Sequence, residues 1–124
     1  MSNVLLWICQ IFLAVVFVYS GAMKSTQSEE KLVAMGQTGV ENLPLSLIRF
    51  IGISEILGVV GIILPWLTGI LPILTPTAAI GLGIIMILAA VVHFRRNEKM
   101  TVLLNLFLLL VCAFVAYGRL VLTD

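Results

Sequence analysis

The chain has 124 residues, 61% hydrophobic and 10% charged, with a mean hydropathy of +1.21. A soluble domain carries roughly a quarter of its residues charged, so this composition excludes a chain whose whole surface meets water. The net charge of +1 gives no global pull toward nucleic acid, and the length predicts a single domain over residues 1–124.

Four apolar stretches are long enough to cross a bilayer, which takes about 20 residues each. They are Val4–Met23, Leu45–Trp66, Pro76–Phe94 and Val102–Leu122. Backbone groups in lipid must be satisfied internally, so continuous runs of this kind should be helical. The fold expected is all-α, an integral membrane four-helix bundle. The first run is longer than the core of a usual signal peptide, and no basic residue precedes it, so it reads as an uncleaved helix. Cys9 and Cys112 lie far apart inside apolar runs and form no redox or zinc spacing.

Between the first two runs, Ser28–Gly36 predicts a short interfacial helix. Ser28 is its N-cap, Glu29 and Glu30 favour its positive end, and Gly36 stops it. Pro44 can open the second spanning helix, and Pro65 falls near its end. Thr75 before Pro76, and Thr101, are expected to cap the third and fourth helices. The connections Leu67–Leu74 and Arg95–Met100 are short, the second a basic hairpin.

Charge sets the expected orientation. Lys24, Lys31, Arg49, Arg95, Arg96 and Lys99 fall on the side opposite the termini, and the terminal side has only Arg119. Basic residues stay cytoplasmic, so both termini are expected outside a cell (cytoplasmic) membrane. Trp7, Trp66 and Tyr117 then form an outer aromatic belt, with Arg119 snorkelling beside them.

In lipid, helices associate through small residues and polar contacts. Ser54, Gly58 and Gly61 share one face of the second helix, and Ala79, Gly83, Met86 and Ala90 one face of the third. These are expected to be the facing surfaces of an antiparallel pair.

Glu55 is the residue that most needs a reason. A charge at the centre of a spanning helix costs about 2.5–3.5 kcal/mol on insertion scales, so Glu55 must be paired, protonated or wetted. Tyr19, Ser20, Lys24, Arg49, His93 and Asn105 fall in the same half of the bilayer, while Gln10 lies in the other. Two readings follow. Glu55 pairs with Lys24, or bonds Tyr19 and Asn105, and locks the bundle; or the cluster encloses a cavity for a proton, a lipophilic ligand or a partner helix. A lone histidine at no ligand spacing makes no metal site, and no cofactor is expected.

Leu45–Pro65 resembles the second helix of the DoxX-like membrane proteins, with Arg49, then Gly52-x-x-Glu55-x-x-Gly58-x-x-Gly61, then Pro65. Gly21…Lys24, the Leu74–Ala79 opening of the third helix, His93–Arg96 and Tyr117-Gly118-Arg119 also resemble that family. The resemblance implies a four-helix bundle in a bacterial-type cytoplasmic membrane, and it carries over Lys24, Arg49, Glu55, His93 and Arg119. Related proteins are linked to thiosulfate:quinone oxidoreductase, and a eukaryotic relative assists receptor assembly. Three functions are therefore expected as alternatives. The first is a non-catalytic accessory or assembly subunit that binds other membrane proteins or itself. The second is a subunit of a quinone-linked membrane oxidoreductase. The third is a small transporter or lipophile-binding protein using Glu55. Beyond the lipid bilayer, the candidate ligands are a quinone or another lipophile.

The orientation is directly testable. A C-terminal fusion to a reporter active only outside the cytoplasm is expected to be active, and a cytoplasm-only reporter silent; the opposite pattern inverts the topology.

Overall fold

The structure, a computed structural model, describes residues 2–121. It contains α1 (Ser2–Thr26), α2 (Glu29–Ala34), a single 3₁₀ turn (Thr38–Val40), α3 (Leu45–Thr68), α4 (Leu74–Arg95) and α5 (Lys99–Val121). Four of these are long and apolar enough to cross a membrane. At the standard rise each is about 33–38 Å long, against a hydrocarbon core of about 30 Å.

The long helices run beyond the apolar stretches that announced them. α1 and α5 each start two or three residues early, and α4 starts at Leu74 rather than Pro76. Leu122, the expected end of the last helix, lies outside the described residues. Thr101 is consequently inside α5 and caps nothing.

The helices alternate in direction around a ring in which α1 packs on α3, α3 on α4, α4 on α5, and α5 more sparsely on α1. The core is Leu13, Phe17, Ile62, Leu82, Met86, Leu108, Cys112 and Val115 with small residues between them. Long apolar side chains such as Leu57, Phe94 and Leu110 point outward. Such a surface suits the lipid environment that the four spanning helices imply.

The α1–α3 crossing is the tightest. A Cβ at Gly21 would lie 2.8 Å from the Gly52 carbonyl oxygen, and one at Gly52 would lie 2.8 Å from both Lys24 Cβ and Ser25 Oγ. Two backbones meet here because neither residue has a side chain.

Pro65 is inside α3 and buried, and lacks the N–H that would bond the Gly61 carbonyl. Thr75 repairs this. Its hydroxyl donates to Gly61 O at 3.0 Å, and Thr75 is fully buried. The sequence position of Thr75 predicts a cap for α4, but α4 begins one residue earlier, and the hydroxyl serves α3 instead. One residue along, the side-chain amide of Gln10 donates to the Ile62 carbonyl at 2.6 Å. α3 then ends at Gly69, whose φ of 75° is the left-handed conformation that closes a helix.

The small-residue faces divide differently from expectation. Gly58 and Gly61 do face α4, meeting Leu82 and Ala78. Gly83, however, faces Leu109 and Cys112 of α5. Ala79 is buried in the core, and the Ser54 hydroxyl turns back to its own helix at Phe50 O, 2.7 Å away. α4 has neighbours on two sides, so its small residues are shared between α3 and α5.

At the end remote from the termini, residues 28–43 form a strap across the bundle. Ser28 caps α2 by accepting from Lys31 N at 3.2 Å, as its sequence position predicts. Leu32 and Val40 bury themselves against Ile48.

Valine at Gly21 or Gly52 should force α1 from α3 and destabilise the bundle by about 1–3 kcal/mol, the usual cost of overpacking. Unfolding in mixed micelles against increasing dodecyl sulfate measures this. A control at Gly81, where an added Cβ meets nothing within 4 Å, should be near neutral.

Candidate functional site

Near the strap, residues of α1, α3, α4 and α5 border a cleft of about 230 Å³. Glu55 forms part of its wall and is itself fully buried. Its carboxylate accepts from Lys24 Nζ at 3.3 Å and 3.4 Å through its two oxygens, and from Ser20 Oγ at 2.9 Å. Ser20 and Lys24 are one turn apart on α1, so both reach the same partner. The Lys24 side chain is 15% exposed, which leaves the pair at the edge of the bundle rather than sealed in it.

Asn105 on α5 lines the same cleft and is 6% exposed. Its Nδ2 has no hydrogen-bond partner. A buried amide N–H without an acceptor costs about 1–3 kcal/mol, so this atom is the least satisfied feature of the cleft wall. His93 on α4 completes that wall, beneath the strap residues Gln37, Gly39 and Val40.

The strap is fastened from α4 and the turn after it. His93 Nδ1 lies 2.6 Å from Glu98 Oε1, and Thr38 Oγ1 donates to Glu98 Oε2 at 2.7 Å. Arg96 donates to Glu41 at 2.7 Å. The hydrogen bond from His93, with that from Thr38, holds the Glu98 carboxyl below the usual glutamate range. His93 thus carries the roof on one ring nitrogen, and its Nε2 sits under Gly39, 3.0 Å from where a Cβ there would be.

A model of the DoxX-like family matches residues 8–115. The chain belongs to the DoxX-like family. No curated protein and no solved structure matches it.

In this DoxX-like protein the six residues expected around Glu55 separate into three groups. Lys24 and Glu55 are in contact, and Asn105 and His93 share their cleft. Tyr19 is 55% exposed at the cleft mouth. Successive helical residues are turned by about 100°, which points Ser20 at α3 and Tyr19 away, so serine makes the bond expected of tyrosine. Arg49 stands apart. Its guanidinium donates to Lys24 O at 2.8 Å and Gln27 O at 2.6 Å, closing the C-terminal end of α1.

The far end of the bundle corrects another expectation. Arg119 does not snorkel; it is 2% exposed. It donates to Gln10 Oε1 at 2.7 Å and to Asn3 Oδ1 at 3.0 Å. Its guanidinium carbon lies 4.5 Å from the Trp66 ring centroid and 5.5 Å from that of Trp7. Arg119 falls on the inward stripe of α5 that contains Cys112, Val115 and Ala116. Hydrogen bonds and ring faces then replace the water that it gives up. The two tryptophans therefore turn toward the guanidinium, while Tyr117 stays exposed.

Sequence reasoning places Ser20 in this half of the membrane but not on the carboxylate; its spacing from Lys24 is the available signal. Thr38 and Glu98 leave none, because they meet across 60 residues. Among the described residues no group of three or more His, Cys, Asp or Glu is arranged to hold a metal ion.

Lys24→Leu should destabilise the protein by about 3–5 kcal/mol, because it strands a buried carboxylate. Removing both charges, with Glu55→Leu added, should restore most of that. Equal instability of the single and double variants, read from unfolding midpoints, would refute the pairing argument.

Proposed function

We propose that this DoxX-like protein is an accessory membrane protein whose contribution is to hold the polar end of a small lipophile in the cleft between α1 and α5. The observation that carries this reading is the buried, unpartnered Asn105 Nδ2 in the wall that also contains Glu55. A network built only to lock the bundle would satisfy its own members. Here Lys24, Ser20 and Glu55 satisfy one another, and the amide opposite does not join them.

The surroundings support the same reading. Small-molecule sites are concave and mostly apolar, with a few convergent polar groups. The cleft has that mixture: Val16, Phe17, Met86, Ala89, Leu104 and Leu108 surround the polar set. An apolar cavity of about 150 Å³ accommodates benzene, so 230 Å³ suits a head of one small ring or a few heavy atoms. Tyr19 and Leu104, both about half exposed, flank a lateral mouth through which a tail could reach lipid. The basic residues near the strap argue that this end is cytoplasmic, with both termini outside a cell membrane.

Photolabelling tests the reading. An uncharged dodecyl chain with a diazirine near its head, reconstituted with the protein in nanodiscs, should label peptides containing residues 16–20 and 104–108. An excess of unlabelled chain with the same head should suppress it. Labelling spread evenly over the lipid-facing surfaces, without suppression, would overturn the assignment.

A further inference from the structure

We infer that the outer groove between α3 and α4 binds an anionic phospholipid of the leaflet at the strap end, with one acyl chain in the groove and the phosphate at Arg95. This does not rest on the reading of the cleft around Glu55.

The groove is apolar and about one leaflet long. Two hollows of about 370 Å³ and 340 Å³ share Ser54 and Ile85. Together they run from Leu47 to Gly58 on α3, about 16 Å at the standard rise, and from Val92 to Ala78 on α4, about 21 Å. Half of a hydrocarbon core is about 15 Å. The Ser54 hydroxyl is turned to Phe50 O, and the Lys24 ammonium at the head of the groove is held by Glu55. Phe50, Leu57 and Leu88 are exposed along its sides. Beyond Ala78 the two helices close on each other, with Thr75 bonded to Gly61 O. A hollow confined to one leaflet fits a lipid chain, whereas a spanning partner helix would cross both.

The charge at the head of the groove argues for an anionic lipid. Arg96 is already paired with Glu41 and Glu98. Arg95 is exposed and, among the described residues, has no acidic partner. It follows Leu88, a lining residue, by seven positions, so the two lie within about 20° on the same side of α4. The rise between them is about 10 Å, which sets the guanidinium past the apolar lining, at the depth of the headgroups. A guanidinium takes a phosphate through two parallel N–H bonds, and basic sites beside membrane helices recognise anionic lipid heads. A free phosphate would leave the groove unfilled, and an alkane would leave Arg95 without a counterion. An anionic phospholipid supplies both.

Two photoactivatable phospholipids decide this. They have the same diazirine-bearing acyl chain, one with a phosphatidylglycerol head and one with a phosphatidylcholine head, each present in trace in nanodiscs of dioleoylphosphatidylcholine. Peptides covering residues 47–58 and 81–92 of the wild-type protein should be labelled about fivefold more by the glycerol lipid, the order set by one basic side chain beside an anionic head. Arg95→Gln should bring the two probes level. Gly81→Phe, at a position where an added Cβ meets nothing within 4 Å, should fill the groove and suppress labelling there by both probes. Equal labelling by the two probes in wild type, or a preference that survives Arg95→Gln, overturns the headgroup assignment. Labelling that Gly81→Phe leaves unchanged overturns the chain assignment. A groove that stays unlabelled while the protein runs as a dimer makes a second copy its occupant and overturns the proposal entirely. Should Gly81→Phe fail to fold, the wild-type and Arg95→Gln comparison decides.

Discussion

A carboxylate with no water around it must find its counterion within the protein, and Glu55 finds Lys24 only because α1 and α3 touch at Gly21 and Gly52. That contact brings the last turns of α1 against the first turns of α3. It places Ser20 and Lys24 within reach of the carboxylate, and it leaves Arg49 level with the open carbonyls of α1. The same rule governs the other half of α3. Pro65 frees a carbonyl that lipid cannot satisfy, and the Thr75 hydroxyl crosses from α4 to take it. The polar residues of this bundle are therefore distributed by need, one helix answering a vacancy in the next.

The two ends of the bundle use that rule differently. Near the termini, Gln10 joins α3 to Arg119 of α5, and the guanidinium is enclosed by Trp7 and Trp66. This draws α1, α3 and α5 together. Near the strap, the pairing of Lys24 with Glu55 ties α1 to α3, while Glu98, just before α5, is held by His93 of α4 and Thr38 of the strap. α5 packs on α4 and only sparsely on α1, and Asn105 lines the cleft bordered by all three. The cleft lies between these two sets of crosslinks.

The strap gives the cleft a roof. Leu32, Val40 and Ile48 seat it by burying apolar surface, while Glu98 and Arg96 fasten it from the turn between α4 and α5. His93 connects the two, with Nδ1 on Glu98 and its ring along the cleft wall. A ligand bound in the cleft would consequently touch groups from all four spanning helices, which suits a site where the head is held firmly and the tail left to lipid.

Hydropathy and length alone determined four spanning helices, because a run of about 20 apolar residues has few other stable forms. The motif around Glu55 pointed to the DoxX-like family, and Ser28 marked the start of α2 through a local rule of capping. The cost of a lone charge in lipid singled out Glu55 by its place in an apolar run. What the sequence could not decide was rotation and neighbour. Whether Tyr19 or Ser20 faces α3 depends on how α1 is turned, and whether Gly83 meets α3 or α5 depends on the order of helices around the ring. Arg119 reads as an interfacial residue by position, yet it is interior because Gln10, Trp7 and Trp66 converge on it from separate parts of the chain. Such pairings are decided by packing in three dimensions, and the open amide of Asn105 is one of its results.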